Sequence, residues 1–288
     1  MQQSPAAPGG FTNVGIVGLG LIGASFARAI KENTPCRVLA HDRNETILSR
    51  ALSDGVADDV LNKDSVGTLD LLLIALYPAA CVEFTRAHAD AIPKNCIVID
   101  CCGVKGAVAP GMQRLADEYG FTYIGGHPMA GREKSGYDAS QGTLYQNASM
   151  IVTGMPEELE ERLFAFFHAL GFSRLQKSTP EEHDRIIAYT SQLAHVLSSA
   201  YVKSPAALTH TGFSAGSFRD MTRVADLNPT MWTELFLDNA EPLCDEIDGL
   251  CERLKTYSDA IRNGRREELF ALLKEGRDRK EFLEEREK

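Results

Sequence analysis

The sequence predicts an N-terminal α/β domain of Rossmann type followed by a second, all-helical domain. Three observations lead there. Apolar runs alternate with helical segments from Asn13 to about residue 176, a glycine-rich turn joins the first run to the first helical segment, and beyond Ser178 the pattern is helical only. Alternation of that kind calls for a parallel sheet with helices on both faces.

Taken in order, Val14–Val17 reads as a short strand ending in glycines, and Ile22–Lys31 as a helix with small and apolar residues at helical spacing. Residues 37–41 form a second strand and 45–54 a second helix. Residues 69–76 are apolar on both faces, as a strand buried from both sides must be. Further strands are expected at 96–99, 121–124 and 149–152, the last at a sheet edge, with a helix at 112–119. A helix over 157–170 stops at Gly171, and 172–176 closes the sheet. Next, Ser178-Thr179-Pro180-Glu181-Glu182 supplies a cap hydroxyl, a first-turn proline and acids for the helix dipole, opening a long helix to about Lys203. Another helix starts near Pro229, and Pro242 should kink or break it. Leu243, Ile247, Leu250, Leu254, Tyr257 and Ile261 then recur at heptad spacing, a seam that serves either an internal core or, as a continuous stripe on a small helical part favours, a homodimer through the C-terminal helices. The expected organisation is a disordered tail over 1–11, the α/β domain over 12–176, and a helical dimerisation domain over 177–288, with 274–288 a solvated helix or frayed end.

With 44% apolar and 24% charged residues, the composition is that of a soluble globular chain with a core of ordinary size. A net charge of −10 speaks against nucleic acid or an anionic membrane as partner. It leaves room for an anionic small molecule held by a local basic cluster. The seven cysteines show neither CxxC nor zinc spacing, so no metal is expected, and their scatter suits a reducing cytoplasm. Cys101 and Cys102 read as buried thiols rather than a redox pair. The aliphatic run 71–76 is far short of the ~20 residues a membrane span needs.

Gly18-Leu19-Gly20-Leu21-Ile22-Gly23 is GxGxxG, placed between a strand and a helix where the motif has a mechanism. Gly18 permits the tight turn, Gly20 lets the backbone approach a pyrophosphate, Gly23 lets helix and strand pack closely, and the helix N-terminus presents its unpaired N–H groups. Asp42 stands at the end of the second strand, at the spacing expected of an acid that takes the adenosine ribose hydroxyls and repels a 2′-phosphate. The cofactor is therefore read as NAD, on Gly18, Gly20, Leu21, Ile22, Gly23, Asp42 and Arg43. Arg43 could instead hold a 2′-phosphate, lie over the adenine or be solvated.

After the sixth strand comes Gly125-Gly126-His127-Pro128-Met129-Ala130-Gly131-Arg132-Glu133-Lys134-Ser135-Gly136. A histidine at a strand's carboxyl end sits where open α/β sheets place ligands, and an imidazole can take a hydroxyl proton near neutral pH. A buried, satisfied histidine is the plainer alternative.

With these pieces the chain resembles the prephenate dehydrogenase family, including arogenate and cyclohexadienyl dehydrogenases. GxGxxG with Asp42, the strand-end segment Asp100-Cys101-Cys102-Gly103-Val104-Lys105, and the GGHPMAG run carry the likeness in the first half. In the helical half it rests on His183-Asp184 opening a helix with Ser191-Gln192-Leu193-Ala194-His195, then Phe218-Arg219-Asp220-Met221-Thr222-Arg223, then Asn228-Pro229-Thr230-Met231-Trp232. The resemblance implies an oxidative decarboxylation in tyrosine biosynthesis. Hydride leaves the carbinol carbon of a cyclohexadiene while its ring carboxylate departs as CO2. It also implies that His127 draws off the hydroxyl proton, that Arg223 grips a substrate carboxylate, and that His195 reaches the side-chain end. Arg132, Glu133 and Asp220 would line or gate the substrate site. A surface ion pair for Arg223, a core role for His195 and a solvent-facing rim for Arg132 stay open.

Many members carry a serine where this chain has Gly103, beside the histidine and the substrate hydroxyl; a water, Cys102 or the cofactor amide would have to replace it, and Gly103 itself is counted with the cofactor-binding residues. The extra cations Arg132, Lys134 and Arg219 favour the doubly anionic prephenate over arogenate. Feedback by tyrosine, where present, would act by competition in the site. Two rival readings share the domain order: a β-hydroxyacid dehydrogenase using a lysine of the helical half, and an NAD-binding sensor without turnover.

Overall fold

The computed structural model describes residues 7–132 and 134–286. Its centre is an eight-stranded sheet in the order β3-β2-β1-β4-β5-β6-β7-β8. The strands are β1 Asn13–Val17, β2 Arg37–His41, β3 Asp59–Val60, β4 Leu71–Ile74, β5 Ile97–Asp100, β6 Thr122–Pro128, β7 Ser149–Thr153 and β8 Arg174–Ser178. All neighbouring pairs are parallel except β6 with β7. The order reverses direction between β1 and β4, which opens a crevice beyond their carboxyl ends.

Helices α1 Leu21–Asn33, α2 Glu45–Ser53, the single turn α3 Lys63–Val66, α4 Pro78–His88, α5 Ala109–Tyr119 and α6 Glu160–Ala169 clothe the sheet. One face buries Phe26, Phe166, Phe167 and Phe172 with Ile16 and Ile99; the other buries Leu72, Ile74, Val98 and Met112. Each such side chain contributes roughly 1.5–3 kcal/mol of transfer free energy. Tyr145 packs against both Phe26 and Phe172, with centroids 4.3 and 4.7 Å away, and its hydroxyl donates to the Ile22 carbonyl at 2.6 Å. That bond anchors the first turn of α1, the turn that follows the glycine-rich loop.

The helical half comprises α7 Pro180–Ile187, a π turn over Ala188–Gln192, α8 Leu193–Tyr201, α9 Gly216–Thr222, α10 Pro229–Leu237, α11 Ala240–Arg262 and α12 Arg266–Arg286. Thr179 caps α7 as its sequence predicts, its hydroxyl accepting from the Glu182 N–H at 3.1 Å.

Three expectations need correction. β7 is not an edge strand, because β8 pairs with it throughout. The helix break falls at Asp238–Asn239 rather than at Pro242, which sits in the first turn of α11, where its missing N–H has no helical acceptor to leave unpaired. The predicted tail runs over 1–11; residues 1–6 lie outside the described residues, but beyond them Pro8–Gly10 form a 3-10 turn, and the Arg162 guanidinium donates to the Gly9 carbonyl at 2.7 Å while lying over the Phe11 ring. Phe11 is fully buried against Phe166. Phe11→Ala is therefore expected to destabilise the protein by about 3–5 kcal/mol in urea unfolding. A loss below about 1 kcal/mol would return the segment to a tail.

Candidate active site

The glycine-rich loop has the shape that phosphate binding asks for. Gly18 has φ +85, and a Cβ there would meet the Ala75 carbonyl oxygen at 2.5 Å. A Cβ on Gly23 would lie 1.8 Å from the Gly18 oxygen, so only glycine lets α1 sit so close to the loop. In front of Gly20, by contrast, a Cβ would find no heavy atom within 4 Å. Gly20 is the N-cap of α1 and offers no side chain to the first-turn N–H groups of Leu21 and its neighbours, which therefore face open space. The cradle fits the diphosphate of a dinucleotide.

Asp42 follows β2 and braces this loop: Oδ2 accepts the Leu19 N–H at 2.7 Å and Oδ1 the Asn44 N–H at 2.8 Å. Arg43 beside it is exposed.

His127 lies near the carboxyl end of β6, paired with Ile151 of β7, and is half-buried. Beneath it, Lys105 is fully buried and ion-paired with Asp100, and its ammonium also donates to the Gly126 carbonyl at 2.6 Å. Asp100 accepts in addition from the Tyr123 hydroxyl at 2.7 Å and the Cys102 N–H at 2.9 Å. Burial alone would lower the Lys105 ammonium's pKa; the carboxylate of Asp100 outweighs it and holds the pKa above the ordinary value. The Cys101 and Cys102 thiols are pushed well above theirs, Cys101 chiefly by burial and Cys102 by its bond with Cys81 and by burial.

A feature that the sequence reading missed stands behind His127. Its Nδ1 lies 2.9 Å from Nε2 of His183, whose Nδ1 lies 2.7 Å from Oδ1 of Asp184. Asp184 is buried and accepts the Lys105 N–H on Oδ1 and the Gly106 N–H on Oδ2, both at 2.7 Å. Burial pushes the Asp184 carboxyl up, but the bonds from His183, Gly106 and Lys105 prevail and hold it below the usual range. His127 is held well below the ordinary histidine value by burial, then by His183 and Lys105 beside it. The signal was there, a His-Asp pair in the first turns of a proline-started helix, but helical periodicity says nothing of a contact across domains.

On the open side, a Cβ at Gly103 would lie 4.0 Å from His127 Nε2 and 3.6 Å from Leu235 Cδ2. The missing side chain thus leaves a slot between the imidazole and α10. One turn earlier on α10, the Trp232 ring packs against His195 at a 45° tilt with centroids 4.0 Å apart, and His195 Nδ1 meets the Val224 carbonyl at 3.2 Å. His195 is half-buried, and burial lowers its pKa; the Val224 carbonyl opposes this and the Arg223 guanidinium adds to it. The sheet-end imidazole and the helical-half groups are therefore linked through one face of α10. Arg223 and Asp220 are exposed at the end of α9 and within it, while Arg132 is exposed and donates to the Ala139 carbonyl at 3.2 Å. Glu133 lies outside the described residues.

The π turn explains how one rod serves both histidines. His183 and His195 are twelve positions apart, roughly 120° around a regular helix. An i→i+5 turn takes up one extra residue, which removes about 100° and leaves the two near one face. Gln192, buried in that turn, donates to the Leu235 carbonyl at 3.0 Å and accepts from Asn239 at 2.7 Å.

The fold and site define a class: a dinucleotide-binding α/β domain whose strand-end histidine is met by a helical second domain. Residues 26–166 match the nucleotide-binding domain of prephenate dehydrogenase and residues 179–275 its dimerization domain. A cyclohexadienyl dehydrogenase of Zymomonas mobilis is 34% identical over 87% of this chain and 89% of its own. The crystal structure of arogenate dehydrogenase from Synechocystis superposes with a TM-score of 0.80 at 25% identity, covering 94% of this chain and 100% of that one. That of prephenate dehydrogenase from A. aeolicus, in complex with hydroxyphenyl propionate and NAD+, gives 0.78 at 27% identity, covering 98% and 100%. The chain belongs to the prephenate dehydrogenase family.

Excising exposed Tyr189 from the π turn would leave a regular helix in which His183 and His195 are eleven positions apart, roughly 20° around it, so His195 keeps its face. That variant is expected to keep its helical circular dichroism and a substrate KM within about threefold, whereas His195→Ala raises KM about tenfold or more, the cost of one charge-assisted contact. An unchanged KM in His195→Ala would mean that His195 does not face the substrate.

Proposed function

We propose that the chain catalyses NAD-dependent oxidative decarboxylation of prephenate to 4-hydroxyphenylpyruvate, in the cytoplasm, as a homodimer joined through its C-terminal helices. The observation that carries the reaction is His127: a neutral imidazole at the sheet's carboxyl edge, its Nε2 facing the slot at Gly103. NAD is supported by the open cradle at Gly20 and by Asp42 at the end of β2, where a carboxylate meets ribose hydroxyls rather than a 2′-phosphate. When bound, the nicotinamide supplies the hydride acceptor. Gly18, Gly20, Leu21, Ile22 and Gly23 would hold the diphosphate, and Gly103 would border the nicotinamide end. Arg43, exposed beyond β2, would border the adenosine.

His127 Nε2 takes the proton of the C4 hydroxyl as the C4–H bond breaks, and returns it to the same oxygen once loss of CO2 has made the ring aromatic. Aromatisation supplies much of the driving force, so the protein's work is orientation and charge placement. Arg223 grips a carboxylate as a two-toothed donor, and His195 with Trp232 borders the side-chain end. Arg132, with Glu133 and Asp220, would line the mouth. Arg132, Lys134 and Arg219 are exposed cations that favour the dianion prephenate over arogenate, whose ammonium they would repel. Homodimerisation is supported by the matched dimerization domain and by the apolar side chains that α11 and α12 leave exposed, among them Ile261 and Phe270.

With prephenate as substrate, His127→Asn is expected to lower kcat about 10²- to 10⁴-fold, followed as NADH absorbance, while the Kd for NAD stays within about threefold. Retained turnover would discard the assignment. Since the base works only when neutral and its pKa is held well below 6.5, kcat/KM should hold through pH 6.5 and fall only below it. An acid limb centred at or above that value would contradict the reading. A kcat/KM for arogenate about tenfold above that for prephenate would reverse the substrate choice.

A further inference from the structure

The geometry points to His183 and Asp184 as positioning residues that set the tautomer of His127, so that its base nitrogen is bare only while the helical domain is seated on the sheet. The inference rests on the reading that His127 accepts the substrate proton, but it has a readout of its own.

The argument is a count of protons along a line. Ionised Asp184 is an acceptor only. Two backbone N–H groups, of Lys105 and Gly106, already donate to it, and its remaining contact is His183 Nδ1 at 2.7 Å, which must therefore carry a proton. A neutral imidazole protonated on Nδ1 has only a lone pair on Nε2. The 2.9 Å contact between His183 Nε2 and His127 Nδ1 needs one proton, and only His127 can supply it. His127 Nε2 is then unprotonated, and that is the nitrogen facing the slot at Gly103. Reversing the first link reverses the rest. With a donor in place of the carboxylate, His183 would carry its proton on Nε2 and give it to His127 Nδ1. His127 would then be protonated on Nε2 and present a donor where an acceptor is needed.

The carboxylate that fixes the tautomer also fixes the seating. His127 is on β6 and Lys105-Gly106 lies in the loop after β5, both parts of the sheet domain, whereas His183 and Asp184 are on α7 of the helical half. Asn239 adds a hold from α11's N-cap, its amide donating to the Asp184 carbonyl at 2.9 Å. With glycine at 103, no side chain orients the imidazole from the substrate side, so its orientation comes from behind.

The test is long-range 1H–15N spectroscopy of the histidine rings in the ¹⁵N-labelled, NAD-loaded protein, assigned with His127→Asn. In the unmutated protein at mildly alkaline pH, His127 and His183 should each be protonated on Nδ1 and bare on Nε2; His127 protonated on Nε2 would overturn the inference without recourse to any variant. In Asp184→Asn the amide can turn its NH2 towards His183, giving up the Lys105 N–H bond accepted there and keeping the Gly106 N–H on its oxygen. Both rings should switch to the Nε2–H form and kcat should fall roughly 10³- to 10⁴-fold, the scale of a wrong-tautomer histidine, with KM and the Kd for NAD within about threefold. A fall in kcat with His127 still protonated on Nδ1 would show a structural defect and overturn it. Nδ1–H on both rings together with full prephenate turnover by His127→Asn would uphold the tautomer line and sink the functional reading instead.

Discussion

The buried pair of Lys105 and Asp100 holds the site together. Taking two charges out of water costs several kcal/mol per ion, which only a fully satisfied geometry offsets. Here the satisfaction is nearly complete: Asp100 also receives Tyr123 and Cys102, and Lys105 also reaches the Gly126 carbonyl. That last contact joins the end of β5 to the residue immediately before His127. The pair therefore sets where the imidazole-bearing backbone lies relative to the Gly103 slot, and its net stabilisation matters less than the position it enforces.

The same loop faces both ways. Lys105 gives its ammonium to the sheet and its backbone N–H to Asp184 of the helical half, while Gly106 gives a second N–H to the same carboxylate. An added Cβ on Gly106 would approach Asp184 Oδ2 to 2.9 Å, so the loop and α7 meet with no room between them. The loop after β5 is thus the junction of the sheet domain and the helical half. Geometry near the histidine depends on how the domains meet as much as on either fold.

Much of this was legible in the sequence where the signal is local. GxGxxG, the acid at 42 and the alternation of apolar runs each depend on residues close in the chain, and the fold follows them. The short β3 and α4 were not legible. Two residues cannot show a period, and Pro78–His88 carries small and polar residues that blur its apolar face. The tail was misread for a like reason: Pro-Gly-Gly looks like a linker, and what orders it is Arg162, more than 150 positions away. The heptad seam was legible as a pattern but not as a single surface. Leu243 is buried within the helical half, whereas Leu254 and Ile261, further along the same stripe, are 54% and 63% exposed.

Histidine 183 marks where the two kinds of information part. Its neighbours in sequence predict a solvated first turn, with Glu181 and Glu182 beside it, and in a regular helix adjacent side chains point about 100° apart. Its burial follows only from β6 having placed a second imidazole 2.9 Å away and from the β5 loop having engaged the next residue's carboxylate. A buried histidine beside a buried carboxylate is costly unless every polar atom finds a partner. In this chain the partners come from a strand, a loop and a helix at once. The requirement that satisfies those groups is the one that orients His127, so the polar accounting of the domain junction and the chemistry at its surface have a single solution.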